Sequence, residues 1–414
     1  MVEHTVRDRE VVSSSLTTPT FMKNKLTQIF ALHFFNDGFL ASIVLLLPFI
    51  AKDLNLNLTQ VGFLGSIFSV SGIILSLPVG FISSRFGTIR ILTVALLFYG
   101  LGFLLTSLSH SYIFLIIAFS IAAISFGVFH PVSFSLVTRL SKKETLGRIM
   151  GDFMATGEFG RICLSGLLSF IAFSIGWRQT SLIYVVISGL LLLIFFFFNF
   201  SENQVDSKEN IETTPQKQIN FIKIMKNKSF ILALFINFFD NLASSPLFIF
   251  LPFLLIHKGI SPSVLGAFTT AFFFGNLFGK MALGRLTDKY KNTNVFIVAE
   301  LLMVIFIILL AYSDLIFLII LFSIILGSLT MGTSPIRTTM ITESNEHHGS
   351  YEKAFVISSF VASISSALAP IILGYVADLY GIVNSFNLTA VFAFLAVVST
   401  YLYGQRKKSI IISA

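Results

Sequence analysis

The chain has few charged residues and only one cysteine. Asp, Glu, Lys and Arg make up 12% of its 414 residues, about half the share that a soluble domain uses to cover its surface. Cys163 is the only cysteine, which excludes an intramolecular disulfide and any multi-cysteine metal or redox site. An ordinary soluble domain and a cysteine-based redox protein are therefore both excluded.

Motifs of several other protein classes are also missing. The pattern Gly-x-x-x-x-Gly-Lys-Ser/Thr does not occur, which excludes an ATP-driven pump of that kind. No group of His, Cys and acidic residues has metal-ligand spacing, so we expect neither a metal nor a cofactor. The Ser-rich stretches lack a neighbouring base, so we expect no enzyme. The net charge of +8 comes from basic residues spread over seven segments, which argues against nucleic-acid binding.

The chain has long apolar segments instead. Hydrophobic residues make up 55% of it, and Phe alone supplies 48. A membrane-spanning helix needs about 20 mostly apolar residues. Segments that meet this requirement lie near residues 26–51, 58–83, 89–109, 111–138, 149–174, 178–200, 229–256, 262–284, 293–311, 314–338, 352–376 and 382–404. The composition predicts an all-α membrane protein with twelve transmembrane helices.

The second half of the chain repeats the first half at an offset of 204 residues. Pro48 corresponds to Pro252, for example, and Gly80 corresponds to Gly284. Two similar six-helix bundles side by side are typical of secondary transporters, which bind substrate between the halves. The predicted organisation is a tail (1–25), an N-terminal bundle (26–200), a polar linker (201–228), a C-terminal bundle (229–404) and a second tail (405–414).

Lys and Arg are unevenly distributed between the two sides of the predicted membrane. The side of the termini carries 23 of them, the opposite side carries three, and two lie within spans. Because cytoplasmic loops hold the excess of basic residues, both termini are predicted to be cytoplasmic. Residues 1–25 lack the features of a cleavable signal peptide. We expect a multi-pass monomer in the lipid bilayer of a bacterial cytoplasmic (inner) membrane.

A short loop rich in Gly and basic residues follows helix 2, and a second copy follows helix 8. These loops, at residues 80–90 and 284–290, resemble the loop motif of the major facilitator superfamily, and the resemblance covers essentially the whole chain. It implies two six-helix bundles, a central cavity and alternating access. The family usually has an acidic residue where Ser84 stands, so Asp288 is expected to form the remaining latch, against Arg148. The gating candidates are Gly80, Arg85, Gly87, Arg90, Gly284, Asp288 and Arg148.

A finer resemblance lies in helices 1 and 4. Residues 33–38 and 129–133 are similar to the corresponding stretches of fosmidomycin-resistance-type exporters. This resemblance implies export. Helix 5 lacks the Gly-Pro signature that antiporters of the family often carry, which argues against a drug/proton antiporter.

Several ionisable residues lie within the predicted spans, where each costs about 2.5–3.5 kcal/mol and usually faces a cavity or a partner. His33 and Asp37 lie on one face of helix 1. Asp37 is expected either to bind and release a proton or to form a packing hydrogen bond. Glu158 and Arg161 are three residues apart in helix 5. They either neutralise each other or form a cavity pair in which Arg161 meets an anionic substrate.

The other candidates are polar residues of helices 4 and 7 to 10. His130 precedes Pro131 and either satisfies the carbonyl that this proline frees or relays protons. Asp240 is expected in either a cavity or a packing role. Lys280 and Glu300 are expected to snorkel, to form a structural pair or to take part in binding. The proton-coupling candidates are Asp37, Glu158, Asp240 and His130. The substrate-binding candidates are His33, Asn36, Asp37, His130, Glu158, Arg161, Asp240, Asn241, Asn276 and Arg337.

These observations lead to one functional hypothesis and two alternatives. The hypothesis is a proton-coupled secondary active transporter that exports a small anionic solute by alternating access. Its partners are then the small-molecule substrate and protons. The first alternative is an uptake symporter for an organic acid, a sugar or a siderophore. The second is a non-transporting membrane receptor or scaffold.

Overall fold

The computed structural model describes residues 25–142, 145–198, 225–344 and 351–413. The predicted N-terminal tail, except Lys25, and most of the predicted linker lie outside these residues. Within them the chain forms helices joined by short connections, one of which contains a 3₁₀ turn at Pro262–Val264. The predicted all-α fold class is confirmed.

Twelve membrane-length helices follow one another in the described part. We number them α1 Lys25–Asp53, α2 Leu58–Phe86, α3 Thr88–Ser107, α4 Tyr112–Leu140, α5 Leu146–Ile175, α6 Trp177–Phe198, α7 Lys228–His257, α8 Leu265–Thr287, α9 Asn292–Tyr312, α10 Ile316–Ser344, α11 Tyr351–Tyr380 and α12 Ile382–Ser413. Eleven are long and apolar enough to cross a membrane. The exception is α8, whose 23 residues include Lys280 and Arg285. Near the C-terminus, α12 continues as a helix to Ser413, through most of the predicted tail at residues 405–414.

Four of the helices contain a turn. The turns lie at Leu46 in α1, Leu167 in α5, Ser245 and Pro246 in α7, and Thr333 in α10. Proline contributes to the α7 turn because it has no backbone N–H to donate. The turn in α7 lies about one helical turn after Asp240, and the turn in α10 lies about one helical turn before Arg337. The backbone is therefore interrupted beside the charged residues of the C-terminal bundle.

The sequence repeat is visible in the helix boundaries and in the packing. Tyr112–Leu140 of α4 and Ile316–Ser344 of α10 are offset by 204 residues at both ends. Helix α4 packs on α2 and α3, and α10 packs on the corresponding helices α8 and α9. Likewise α3 packs on α6, and α9 packs on α12. The two bundles are therefore pseudo-symmetric, as predicted.

The bundles meet through two pairs of helices that the repeat relates, α2 with α11 and α5 with α8. At the face away from the termini, the Asp378 carboxylate accepts hydrogen bonds of 2.8 Å from the backbone N–H groups of Leu58 and Thr59. The Ser169 hydroxyl accepts a hydrogen bond of 2.6 Å from the N–H of Gly266. These contacts join the two bundles at the face opposite the termini.

The face on the side of the termini borders open space. A Cβ atom added at Gly151 of α5 or at Gly284 of α8 would meet no atom within 4 Å. Arg148, at the start of α5, is 86% exposed, and its Nε lies 3.9 Å from Asp152 of the same helix. Asp288 is also exposed. The latch between Arg148 and Asp288 is not formed in this structure and stays a prediction for a state closed at this face.

The other gating candidates lie at the same face. Arg85 and Arg90 are exposed at the connection between α2 and α3. Gly87 alone separates these helices, with a φ of 89°. Because this backbone conformation strains any residue with a Cβ, glycine is required for so short a turn. The tight turn of the loop motif therefore has a direct structural cause.

Candidate substrate and proton site

Asp37 of α1 lies at the centre of a cluster of ionisable side chains in the N-terminal bundle. Its Oδ2 is 2.8 Å from Nη2 of Arg161 on α5. Its Oδ1 is 3.5 Å from Nε2 of His33 and 3.4 Å from Nε2 of His130 on α4. The amide of Asn36 donates a hydrogen bond of 3.0 Å to the same oxygen. Three helices thus direct polar groups at one buried carboxyl group.

Glycines of α5 allow this cluster to form. A Cβ atom at Gly157 would lie 2.6 Å from Cε1 of His33 and 2.9 Å from Oδ2 of Asp37. Gly160, one turn further on, packs directly against the carbonyl of Phe34. Small residues let membrane helices approach closely. The closeness of α1 and α5 is what brings Arg161 within hydrogen-bonding distance of Asp37.

Glu158 connects this cluster to the C-terminal bundle. Its Oε2 lies 3.6 Å from Nη1 of Arg161, and its Oε1 lies 2.8 Å from Nζ of Lys280 on α8. Glu158 is 2% exposed and Lys280 is 20% exposed. The guanidinium of Arg161 also lies 5.7 Å from the ring centroid of Phe273 on α8. Of the alternatives for Lys280, the structure supports an ion pair, because its ammonium reaches Glu158 across the bundle interface.

The four charged groups of the cluster balance one another. Asp37 and Glu158 contribute two carboxylates, while Arg161 and Lys280 contribute two cations. Removing one member of a buried pair leaves an uncompensated charge, which costs about 3–5 kcal/mol.

His33, Asp37 and His130 could also be considered as metal ligands. One ligand atom of each lies within 4.8 Å of the others. Spacing along the chain does not reveal this group, because α1 and α4 bring distant positions together. Arg161 already balances the charge of Asp37, however. The cluster is therefore better suited to ion pairing and proton binding than to holding a metal cation.

Asp240 of α7 forms a second charged group within the C-terminal bundle. Its Oδ2 is 2.7 Å from Nη1 of Arg337 on α10, and its Oδ1 accepts a hydrogen bond of 3.0 Å from Thr333. Nη1 of Arg337 also donates to Oδ1 of Asn237 (3.1 Å), whose amide donates to the carbonyl of Ser358 on α11 (2.8 Å). Arg337 lies inside α10, where it is largely buried.

The remaining candidates take part in local hydrogen bonds. The amide of Asn241 donates to the carbonyl of Asn237 (2.6 Å), one turn earlier in α7. Oδ1 of Asn276 on α8 accepts a hydrogen bond of 3.3 Å from the hydroxyl of Thr330. The substrate candidates thus fall into a group around Asp37 and a group around Asp240, and Asn276 belongs to a separate contact.

Some residues of these networks were not among the predicted site residues. They are Asn237, Lys280, Thr333 and Ser358. A polar residue in an apolar span was the available signal, and Lys280 showed it. Spacing along one helix could not identify the partners of Lys280, Thr333 and Ser358, because Glu158, Asp240 and Asn237 lie on other helices.

A duplicated twelve-helix architecture with paired charges at mid-helix defines the chain as a multi-pass membrane transporter. The family model of the Major Facilitator Superfamily matches residues 29–258 and 233–411. The chain belongs to this superfamily. The finer similarity to fosmidomycin-resistance-type exporters stays a prediction.

The chain is similar to three curated proteins of the same kind. It is 21% identical to an "Uncharacterized MFS-type transporter" of Methanocaldococcus jannaschii, covering 89% of this chain and 94% of that protein. It is 26% identical to the "Probable nitrate transporter NarT" of Staphylococcus aureus (87% and 91%). It is 25% identical to the "Hexuronate transporter" of Bacillus subtilis, over 59% and 60% of the two chains.

A solved structure supports the fold. The inward-facing, unoccupied structure of a bacterial homolog of the human lysosomal transporter Spinster superposes with a TM-score of 0.77 at 15% identity. The match covers 93% of this chain and 97% of that chain. At this identity the similarity shows the fold alone.

Proposed function

We propose that the protein is a proton-coupled transporter that moves a small anion across the bacterial cytoplasmic membrane by alternating access. The observation that carries this proposal is the pairing of both cations of the central cluster with carboxylates. Arg161 lies against Asp37 at 2.8 Å, and Lys280 lies against Glu158 at 2.8 Å. Each cation that would bind an anion is thus held by a group that accepts a proton.

Binding of a proton and binding of an anion favour each other in this arrangement. When Asp37 is protonated, Arg161 loses a competing negative charge and can bind an anion. Glu158 has the same relation to Lys280. By reciprocity, an anion on either cation favours the protonated carboxyl group. Mutual enhancement of this kind couples the two solutes in the same direction, which is symport.

The direction of transport depends on this coupling. A proton gradient directed inward drives a proton symporter towards uptake, so the site favours uptake of an anion over the predicted export. An exporter driven by the same gradient needs proton and substrate to compete for one site. The names of the relatives fit an anion, since one is a hexuronate transporter and another is a nitrate transporter. Export, implied by the resemblance in helices 1 and 4, is the second candidate.

The setting of the protein in the membrane follows from the sequence. The excess of Lys and Arg on the side of the termini supports cytoplasmic termini. The open face of the structure would then be the cytoplasmic face. The protein is expected to work as a monomer, because both bundles and the interface between them belong to one chain.

Transport by the purified full-length protein in proteoliposomes tests the proposal. Radiolabelled hexuronate and nitrate are offered under an imposed inward proton gradient, with a protonophore as control. We expect one of these anions to accumulate only while the gradient lasts. Arg161→Ala should weaken anion binding by about 10- to 100-fold, because hydrogen bonds to charged groups contribute about 1.5–3 kcal/mol.

Asp37→Asn separates coupling from binding. This variant removes a proton site and the carboxylate closest to Arg161. Because Glu158 remains beside Lys280, we expect anion binding to depend less on pH than in wild type, and accumulation driven by the gradient to be reduced. Gradient-driven accumulation equal to that of wild type would refute the proposed coupling. Acceleration of anion efflux by the inward gradient would support the exporter, and retained function after neutralising Asp37, Glu158 and Arg161 together would support a non-transporting receptor.

A further inference from the structure

A groove lies between α7 and α12 at the face of the termini. Its volume is about 610 Å³, and it is lined by Lys228, Ile231, Leu232, Leu402, Gln405 and Arg406. Lys228 begins α7, and Arg406 ends the part of α12 that is apolar enough to span a membrane. The two cations therefore mark the same boundary of the predicted membrane, one on each side of the groove.

The groove lies on the outer surface of the C-terminal bundle. On α7, Phe230 is buried, whereas Lys228 and Phe235, seven residues apart and so on one helical face, are exposed. On α12, Tyr403 is buried and Leu402 is exposed. Both helices thus turn one face into the bundle and present the other, mostly apolar face to the surroundings. In a membrane protein the surroundings of such a face are lipid.

Polar and apolar residues of the groove lie at different depths. The apolar residues Ile231 and Leu232 are three and four residues further into α7 than Lys228, and Leu402 is four residues further into α12 than Arg406. At the helical rise, this places them about 4.5–6 Å deeper than the cations. A phospholipid has the same order, with a charged phosphate at the membrane surface and apolar chains below it.

We infer that this groove binds an anionic phospholipid. Its phosphate lies between Lys228 and Arg406, and an acyl chain packs against Ile231, Leu232 and Leu402. Within the described residues, the lining of the groove includes two cations and no carboxylate. The guanidinium of Arg406 has five N–H donors in a planar fork, so it can bind phosphate oxygens alongside other contacts. Basic pockets between membrane helices are known to bind anionic head groups.

The alternative is that both cations simply extend towards water, as single basic residues at the ends of membrane helices do. That alternative does not need an apolar groove between them. A free phosphate ion would use the cations and leave the apolar part of the groove uncovered, whereas a phospholipid covers both. The inference concerns the outer surface of one bundle, and it does not depend on the proposed anion transport through Arg161.

Native mass spectrometry of the purified full-length protein tests the inference. The protein is released from micelles that contain equal amounts of phosphatidylglycerol and phosphatidylcholine, and we expect wild type to retain one phosphatidylglycerol in preference. The double variant Lys228→Gln/Arg406→Gln should weaken this binding by about 30-fold, because each basic residue near an anionic lipid contributes about a factor of five. Both residues are exposed, so the variant should fold.

A matched control removes two other exposed cations. The double variant Arg285→Gln/Lys289→Gln changes the net charge equally at the same face, outside the groove, and should retain the lipid. Equal losses in the two double variants, or no preference for phosphatidylglycerol in wild type, would overturn the inference.

Two further measurements separate a lipid from a soluble phosphate. Leu402→Ser should weaken binding of both lipids while keeping the preference for the anionic one, because it alters only the apolar part of the groove. Inorganic phosphate should raise the melting temperature of wild type less than phosphatidylglycerol does. Unchanged lipid binding in Leu402→Ser, or equal stabilisation by inorganic phosphate, would show that the groove is not a phospholipid site.

Discussion

The ion pair between Glu158 and Lys280 links the two bundles within the membrane, and its coupling energy can be tested directly. The variants are Glu158→Gln, Lys280→Met and the double variant. At 2.8 Å and an effective dielectric constant of about 20, the attraction is about 6 kcal/mol before any desolvation cost is subtracted. Truncating one partner of a buried pair costs about 3–5 kcal/mol. The pair should therefore contribute measurably to stability.

The neighbouring arginine reduces this expected cost. After Lys280→Met, Glu158 still lies 3.6 Å from Arg161, so its charge is partly compensated. We therefore expect a loss of about 1–3 kcal/mol for each single variant, and a coupling energy of about 1–2 kcal/mol between them. In the measurement, the double variant should lower the apparent melting temperature by clearly less than the sum of the two single losses.

A second ion pair provides a matched control. Arg178 and Asp53 lie at a similar distance of 2.7 Å, but their side chains are 28% and 46% exposed. The same cycle on this pair should give a coupling of about 0.2–1 kcal/mol, because solvent screens it. Additive losses for Glu158 and Lys280, or a coupling no larger than that of the control pair, would refute the argument that this interface contact is a buried ion pair.

Three further predictions concern packing and gating. Gly157→Ala should lower the melting temperature, because the added Cβ would lie 2.6 Å from a ring carbon of His33. The control variant Gly151→Ala should leave the melting temperature unchanged, because its Cβ would meet no atom within 4 Å. Equal effects of the two variants would contradict the packing argument. Asp378→Asn should weaken the contact that closes the face opposite the termini, so that cysteines introduced at that face label faster in a Cys163→Ser background. Arg148→Ala should change stability by less than about 0.5 kcal/mol, since the residue is 86% exposed. If the latch prediction is correct, Arg148→Ala should nevertheless increase the labelling of cysteines introduced at the face of the termini. Unchanged labelling would show that Arg148 is not part of the gate.

The sequence was sufficient to predict the fold because the membrane restricts the possible structures. A chain in lipid must satisfy every backbone polar group internally, so long apolar runs become helices. The offset of 204 residues then determined the pairing of the two bundles, and the bounds of α4 and α10 follow it at both ends. Of the twelve helices, only α8 is not apolar enough to be recognised as a membrane span from its composition. It can contain Lys280 because this side chain points towards Glu158 of the other bundle instead of towards lipid.

The site could be predicted as a set of residues but not as a set of contacts. Mid-helix position identified Asp37, Glu158, Arg161 and Asp240, because each is costly in a membrane without a partner. The partners could not be found, since spacing along one helix reports only neighbours three or four residues away. The shortest contact of Arg161 is with Asp37, on a different helix, and not with Glu158.

The two bundles share a fold but use their charges differently. At the repeat offset, Asp37 corresponds to Asn241 and Asn36 corresponds to Asp240. A shift of one residue rotates a side chain by about 100° around a helix. Asp37 therefore contacts the arginine of α5, a helix of the bundle interface, whereas Asp240 contacts the arginine of α10 within its own bundle. In the first case the arginine also reaches residues across the interface, where a substrate would pass. In the second case the charges stay inside one bundle beside two helix turns. This difference places the arginine of one half at the bundle interface and the arginine of the other half inside its own bundle.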